Sequence, residues 1–348
     1  MEEKNFYHLL KKRGYIEQVT NERELANLFN NQKVTFYIGF DPTAPSLHIG
    51  HLLSLMVMAW AQKFGHLPIF LAGGGTGLIG DPSGKDKARP LLNEQIIRKN
   101  IFSIKKQVSK ILDFKKNKIT ILNNANWLKK LNYIEFLRNF GIHFRVNRML
   151  SHEGIKTRLE KGLSFLEFNY QILQAYDFWY QFKHYNCLVQ MGGSDQWGNI
   201  VAGIELIKKI EKKNVYGITF PLLTTAEGKK MGKTEKGAVW LDKKLTSVFD
   251  YYQYWINVDD RDVKRFLLLF TFLPQKEIEK LAQLQGSEIK KAKEILAFEA
   301  TKIVHGEKLA IKAQKASKIL FNKNQTIKKK SSLPTFIISK KEIKNGIL

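Results

Sequence analysis

Three short apolar runs in this chain each end in a polar, turn-forming loop, and that pattern limits the fold more than any other feature. Residues 34–40, VTFYIGF, give way to DPTAPS; PIFLAGGG begins at Pro68; CLVQMGGSDQ begins at Cys187. Continuous β-branched and aromatic runs mark strands buried on both faces. The apolar stretch from Ile49 to Phe64 has helical character and supplies a connection between two of them. Strands joined through helices form a parallel sheet, and ligands of such sheets bind beyond the carboxyl ends of the strands, where these loops gather. The expected class is therefore α/β, with its site on that edge.

Beyond Pro221 the composition changes. A loop over 223–246 contains the Gly- and Lys-rich run TTAEGKKMGKTEKG, and amphipathic, helix-like sequence follows over 247–322. The expected organisation is a sheet domain over 1–222, the loop, a smaller α-helical domain, and a linker-like tail over 323–348 that is rich in Lys and Ser. With 348 residues, 44% of them hydrophobic, the chain can build a core for each domain. No internal repeat is evident. No run of about 20 uncharged apolar residues occurs, and MEEKNFYHLL has acids where a secretion signal has basic residues, so a cytoplasmic protein without a membrane span is expected. The single cysteine, Cys187, excludes an internal disulfide framework and reads as a core thiol. A formal net charge of +25 suits a polyanionic partner such as nucleic acid, but only 10 of the 57 basic residues are Arg, and a Lys-rich compositional bias explains much of the excess equally well.

Asp41-Pro42-Thr43 precedes His48-Ile49-Gly50-His51 at the start of the expected helix. A helix N-terminus offers unpaired N–H groups and partial positive charge to phosphate, two imidazoles can donate as well, and Gly50 lets a nucleotide approach the backbone. A metal pair at His48 and His51 is the rival reading, although no adjacent Cys, Glu or third His completes a zinc set. In Lys230-Met231-Gly232-Lys233-Thr234, two ammonium groups can close over a triphosphate, or the segment is a solvated lysine turn. Tyr170, Gln174 and Asp177, spaced i, i+4 and i+7, share one helix face within FLEFNYQILQAYDFWY, facing either a ligand or polar groups of the protein itself.

Taken together and in order, the two lysine- and histidine-bearing motifs resemble the paired nucleotide-binding signatures of class I aminoacyl-tRNA synthetases. YIGFDPTAPSLHIGHL, GGGTGLIGDPSGK, QAYDF, GGSDQWGNI and KMGKT together are similar to bacterial tyrosyl-tRNA synthetases across roughly residues 1 to 322. The resemblance implies a Rossmann-like catalytic domain, a helical domain for the anticodon arm of tRNA(Tyr), and a homodimer paired through residues 124–185. It implies that Tyr170 and Gln174, helped by Asp81, hold the tyrosine ammonium, and that Tyr37 and Asp177 bond its phenolic hydroxyl. For ATP it assigns Asp41, Thr43, His48, Gly50 and His51 to the nucleotide, with Thr43 and His48 nearest the γ-phosphate, and Asp195 to the ribose. Gln196 falls between the two substrates. Lys85, Arg89, Lys230 and Lys233 match loop residues that grip pyrophosphate.

By that resemblance ATP is a substrate accompanied by Mg²⁺, with no protein-bound metal. The substrate carboxylate attacks the α-phosphorus, so no general base is needed, and no length remains for an editing domain. There are three departures from the family pattern. Ile38 stands where some members have a small polar residue, KMGKT replaces the commoner KMSKS, and many bacterial members continue past a sequence like SKKEIKNGIL into a small RNA-binding domain. Two other readings are weighed against this one. A different adenylyltransferase with HxGH explains His48 and His51 but not Tyr37, Gln174 and Asp177 together. A catalytically silent RNA-binding scaffold has no use for the lysine and histidine motifs.

Overall fold

The structure, a computed structural model, describes residues 5–83, 91–114, 119–228, 231, 233–234 and 237–321. Its main sheet has six strands: β1 (Gln18–Val19), β2 (Thr35–Phe40), β3 (Leu67–Ala72), β4 (Thr120–Asn123), β5 (Cys187–Gly193) and β6 (Tyr216–Phe220), in the order β1-β6-β5-β2-β3-β4. All neighbours run parallel except β1, which caps the edge antiparallel to β6. The three strands read from the sequence are β2, β3 and β5, and they lie side by side in the middle of the sheet. From β2 the chain steps to β3 and β4 on one side, and β5 and β6 lie on the other. The order therefore reverses between β2 and β5, and a cleft must open at their carboxyl ends.

Alternation along the strands sorts side chains into two layers. Phe36, Ile38 and Phe40 pack into one buried cluster with the helix Ile49–Lys63, whereas Tyr37 joins a second cluster with Phe178 and Ile207 from the helices Tyr170–Tyr185 and Trp197–Glu211. Most of Ile49–Lys63 is apolar and buried, as befits a helix held between the sheet and its neighbours. Cys187 is fully buried and its thiol donates to the Val189 carbonyl at 3.5 Å, which makes it a core residue.

The helical sequence after residue 247 forms Val248–Ile256, Val263–Phe270, Gln275–Ala282, Ile289–His305 and Glu307–Phe321. Its buried residues, among them Trp255, Phe266 and Leu296, are continuous with the first cluster, so these helices share a core with the sheet layer instead of enclosing a separate one. A buried arginine strengthens the junction. Arg13 stacks on Trp60, 4.4 Å from the ring centroid, and its guanidinium donates to the carbonyls of Leu268, Thr271 and Leu273 at 2.8, 3.0 and 2.5 Å. The Tyr15 hydroxyl donates to the Leu269 carbonyl at 2.5 Å. Together they satisfy the open carbonyls at the end of Val263–Phe270, a task that helices otherwise leave to water or a glycine cap. Among the described residues no helix is long and apolar enough to cross a membrane.

Candidate active site

The cleft at the switch point has a volume of about 590 Å³. Every sequence-predicted site residue whose side chain is described lines it: Tyr37, Asp41, Thr43, His48, Gly50, His51, Asp81, Tyr170, Gln174, Asp177, Asp195 and Gln196. Lys85, Arg89 and Lys230 lie outside the described residues, as does the side chain of Lys233.

One end of the cleft is built from the turn after β2. His48 is the N-cap of Ile49–Lys63; its Nδ1 accepts from the Gly50 N–H at 3.0 Å, while the His51 Nδ1 accepts from the His48 N–H at 3.2 Å. A ring nitrogen that accepts carries no proton, so each neutral imidazole holds its proton on Nε2 and can donate from there. The two rings lie 4.0 Å apart. A Cβ on Gly50 would come within 2.8 Å of the His48 ring, so glycine here also makes room for the capping imidazole. That is a second reason for a glycine read from sequence only as room for a nucleotide.

The lysine signature is tied to this end. Met231 is buried and its N–H donates to the Leu223 carbonyl at 2.8 Å. Lys233–Thr234 (β7) and Gly237–Ala238 (β8) form a two-stranded ladder. The chain then returns alongside the histidine turn: Ile49 N–H donates to the Val239 carbonyl at 3.0 Å, Leu241 N–H donates to the Leu47 carbonyl at 2.8 Å, and the Trp240 ring meets His48 edge-on at 6.1 Å.

The other end holds three acids, of which Asp81 and Asp177 are buried. Asp177 accepts from Asn124 Nδ2 at 2.8 Å and from Trp127 Nε1 at 2.7 Å; burial pushes its pKa up to about 7 in spite of both bonds. Beside it the Tyr37 hydroxyl is buried without a hydrogen-bond partner, and its pKa is driven well up, first by burial and then by the charge of Asp177. Asp41 accepts from the Tyr170 hydroxyl and from Thr76 Oγ1, both at 2.9 Å. Asp81 accepts from the Ser83 N–H at 2.9 Å and Gln196 Nε2 at 2.7 Å, and its pKa rises to about 6, chiefly through burial and further through repulsion by Asp41. Asn199 Nδ2 donates to Gln174 Oε1 at 3.0 Å and fixes the orientation of that amide. A carboxylate whose pKa is raised further by a neighbouring one marks a place that favours a cation.

The sequence pattern of the class I tRNA synthetases (W and Y) matches residues 29–322. The tyrosine–tRNA ligase of Clostridium botulinum (strain Loch Maree / Type A3) is 54% identical over 344 residues, covering 99% of this chain and 84% of its own. This chain belongs to the class I tyrosyl-tRNA synthetases. The corresponding ligase of Caldanaerobacter subterraneus subsp. tengcongensis is 58% identical to the synthetase over 313 residues, covering 90% of this chain and 77% of its own. Among solved structures, a C-terminally truncated Aspergillus nidulans mitochondrial tyrosyl-tRNA synthetase superposes with a TM-score of 0.83 at 35% identity, over 92% of this chain and 95% of that one.

The sequence did not reveal Thr76, Asn124 or Trp127, which connect the acids of the synthetase: Asn124 Nδ2 also lies 3.0 Å from Thr76 Oγ1, so a chain of bonds runs from Tyr170 through Asp41, Thr76 and Asn124 to Asp177. Only the short run ITIL before Asn124, which forms most of β4, could have signalled a further strand with a polar end. Gln190, opposite Tyr37 in the sheet register, lines the cleft with its Oε1 unpartnered and was also missed.

The raised pKas of Asp81 and Asp177 fix the sign of a pH effect. Both exceed the value of an unfolded aspartate, about 3.9. From about pH 4 to their folded pKas the native state holds more protons than the unfolded one, so their contribution to stability falls as pH rises, by up to about 1.4 kcal/mol per pH unit for each group. The urea midpoint of ligand-free Asp81→Asn should therefore drop less than that of the wild type between about pH 4 and pH 6. Parallel midpoints in the two proteins would show that Asp81 is not proton-linked to folding.

Proposed function

We propose that the cleft binds L-tyrosine with its phenolic hydroxyl between Tyr37 and Asp177 and its ammonium among Asp81, Tyr170 and Gln174, and joins it to ATP before transfer to tRNA(Tyr). One observation carries this reading. A tyrosine hydroxyl buried without a partner stands beside a carboxyl group whose two oxygens each accept from one donor, Asn124 or Trp127, and have lone pairs left for another. A ligand group that both donates and accepts, as a phenol does, satisfies both at once. At the far end the mutual repulsion of Asp41 and Asp81 favours the ammonium. Although sequence reasoning placed Asp41 with the nucleotide, its bond to Tyr170 supports a share in the amino-acid pocket as well.

In the proposed reaction the tyrosine carboxylate attacks the α-phosphorus of ATP, tyrosyl-adenylate forms and pyrophosphate leaves; a hydroxyl at the 3′ end of the tRNA then attacks the activated carbonyl, and AMP leaves as its phosphate takes up the hydroxyl proton. Thr43 and the Nε2–H groups of His48 and His51 donate to the phosphates, the helix N-terminus at Gly50 adds its partial charge, Asp195 holds the ribose, and Gln196 spans the two substrates. Mg²⁺ bound to the triphosphate would share its charge. Lys85, Arg89, Lys230 and Lys233 supply cations to the departing pyrophosphate. None of these groups exchanges a proton with the reacting centre, so catalysis rests on positioning and electrostatics.

The synthetase is proposed to act in the cytoplasm as a homodimer, with residues 247–322 receiving the anticodon arm. Exposed apolar side chains at Tyr133, Ile134, Ile142, Val146 and Phe165 support pairing through residues 124–185, Ile142 being 74% exposed. Sedimentation at micromolar concentration should give twice the chain mass, and a monomer mass would remove the dimer from this account.

Tyrosine should drive exchange between pyrophosphate and ATP, and phenylalanine should be rejected by about 10⁴- to 10⁵-fold in kcat/KM, a range for which tyrosyl-tRNA synthetases are themselves the standard example. Comparable exchange with phenylalanine would exclude the Tyr37–Asp177 assignment. Replacement Lys233→Ala should slow exchange on the order of 10² to 10³-fold with tyrosine binding nearly intact. An equal loss of tyrosine affinity would take Lys233 out of the pyrophosphate site.

A further inference from the structure

The helix Glu94–Ile111 buries a glutamine, Gln107, that is 6% exposed and does not line the cleft. An amide in apolar surroundings is costly unless both of its ends are bonded. Gln107 uses both ends on one stretch of backbone. Its Oε1 accepts from the Leu47 N–H at 3.0 Å and lies 3.1 Å from Ser46 Oγ, and its Nε2 donates to the Pro45 carbonyl at 3.3 Å. These are the three residues that lead into His48. They also hold the chain returning from the lysine signature, because Ser46 Oγ accepts from the Asp242 N–H at 3.1 Å and the Leu47 carbonyl accepts from the Leu241 N–H at 2.8 Å.

A single amide thus fixes the turn that presents His48 and, through it, the segment 239–242 that anchors one end of the lysine loop. The two halves of the nucleotide site come from parts of the chain about 190 residues apart, and Gln107 bonds the backbone at which they meet. We propose that Gln107 is a positioning residue for the triphosphate end of the cleft: it sets the spacing between His48 and the returning segment 239–242. This rests on the nucleotide reading given above. Tyrosine binds at the opposite end, around Tyr37 and Asp177, and should be insensitive to Gln107.

The test compares wild type with Gln107→Met, which keeps the length and removes the bonds, and Gln107→Glu, whose carboxyl regains a donor only when protonated. Tyrosine affinity is measured by equilibrium dialysis, and the rate of tyrosyl-adenylate formation by single turnover at varied ATP. A displacement of about 1 Å at a reacting group can cost on the order of 10²-fold, so a fall of about 10- to 100-fold in adenylate formation is expected for Gln107→Met, with tyrosine affinity unchanged. The rate for Gln107→Glu, relative to wild type at the same pH, should recover as pH falls. Leu296→Ala, in the helical core away from the cleft, serves as the stability control. The proposal is overturned if Gln107→Met forms adenylate at the wild-type rate, or if its tyrosine affinity and rate fall together as they do in a control of equal thermal stability. A wild-type protein with no tyrosine-dependent exchange removes the nucleotide reading and this one with it.

Discussion

The constraint on which the cleft depends is a carboxylate kept available inside a protein core. Asp177 is fully enclosed, and burial pushes its pKa up; the Asn124 amide and Trp127 indole work against that by donating to it, and the pKa comes to about 7. Those donors in turn fix where other parts can stand. Trp127 stacks on Tyr180 at 4.3 Å, which anchors the start of the 124–185 region to the helix carrying Asp177. Asn124 reaches the Gly75 N–H at 2.7 Å, which ties the loop after β3 to the same node. A Cβ on Gly73 would lie 2.1 Å from Asp41 Oδ1, so that loop can approach the acids only as glycine. The glycine run that ends β3 thus serves the close approach of backbone to an acid of the cleft, as well as the turn itself.

The sequence was legible where chemistry and periodicity coincide. Strands β2, β3 and β5 are apolar and end in polar loops, so both their nature and the position of the cleft could be read. Tyr170, Gln174 and Asp177 share a helix face, and a spacing of 3.6 residues per turn is enough to bring them together. Strand β4 is half-buried throughout, β6 mixes glycine and threonine among its apolar residues, and β1 spans two residues, so none of them has a distinct pattern. The partners of the acids were hidden for a different reason. Asn124 lies 53 residues from Asp177, and Thr76 lies 35 from Asp41. Only the order of strands in the sheet makes them neighbours, and no local rule encodes it.

The same limit explains why the domain boundary was clearer in composition than in packing. The glycine- and lysine-rich loop separates two kinds of sequence, but Trp60 of the first long helix lies edge-on to Phe272 at 5.0 Å, and helix Ile289–His305 packs on Glu94–Ile111. Composition records what each segment is made of. Where a segment docks is set by apolar surfaces such as Trp255 and Phe266, which read as core without revealing whose core.

Arg13 and Tyr15 show what such docking asks of a growing chain. Their acceptors lie 254 to 260 residues further along the chain. At about 5–20 residues per second of synthesis, an arginine made among the first residues waits on the order of tens of seconds before its carbonyl partners exist. Until then its N–H groups must remain hydrated, and the contact of Trp60 with Phe272 cannot form. The N-terminal segment is thus the first part of the chain to emerge and one of the last to be locked. Long-range closures of this kind are slow, and until this one forms the half-made protein exposes an aromatic surface to which chaperones or other chains can bind.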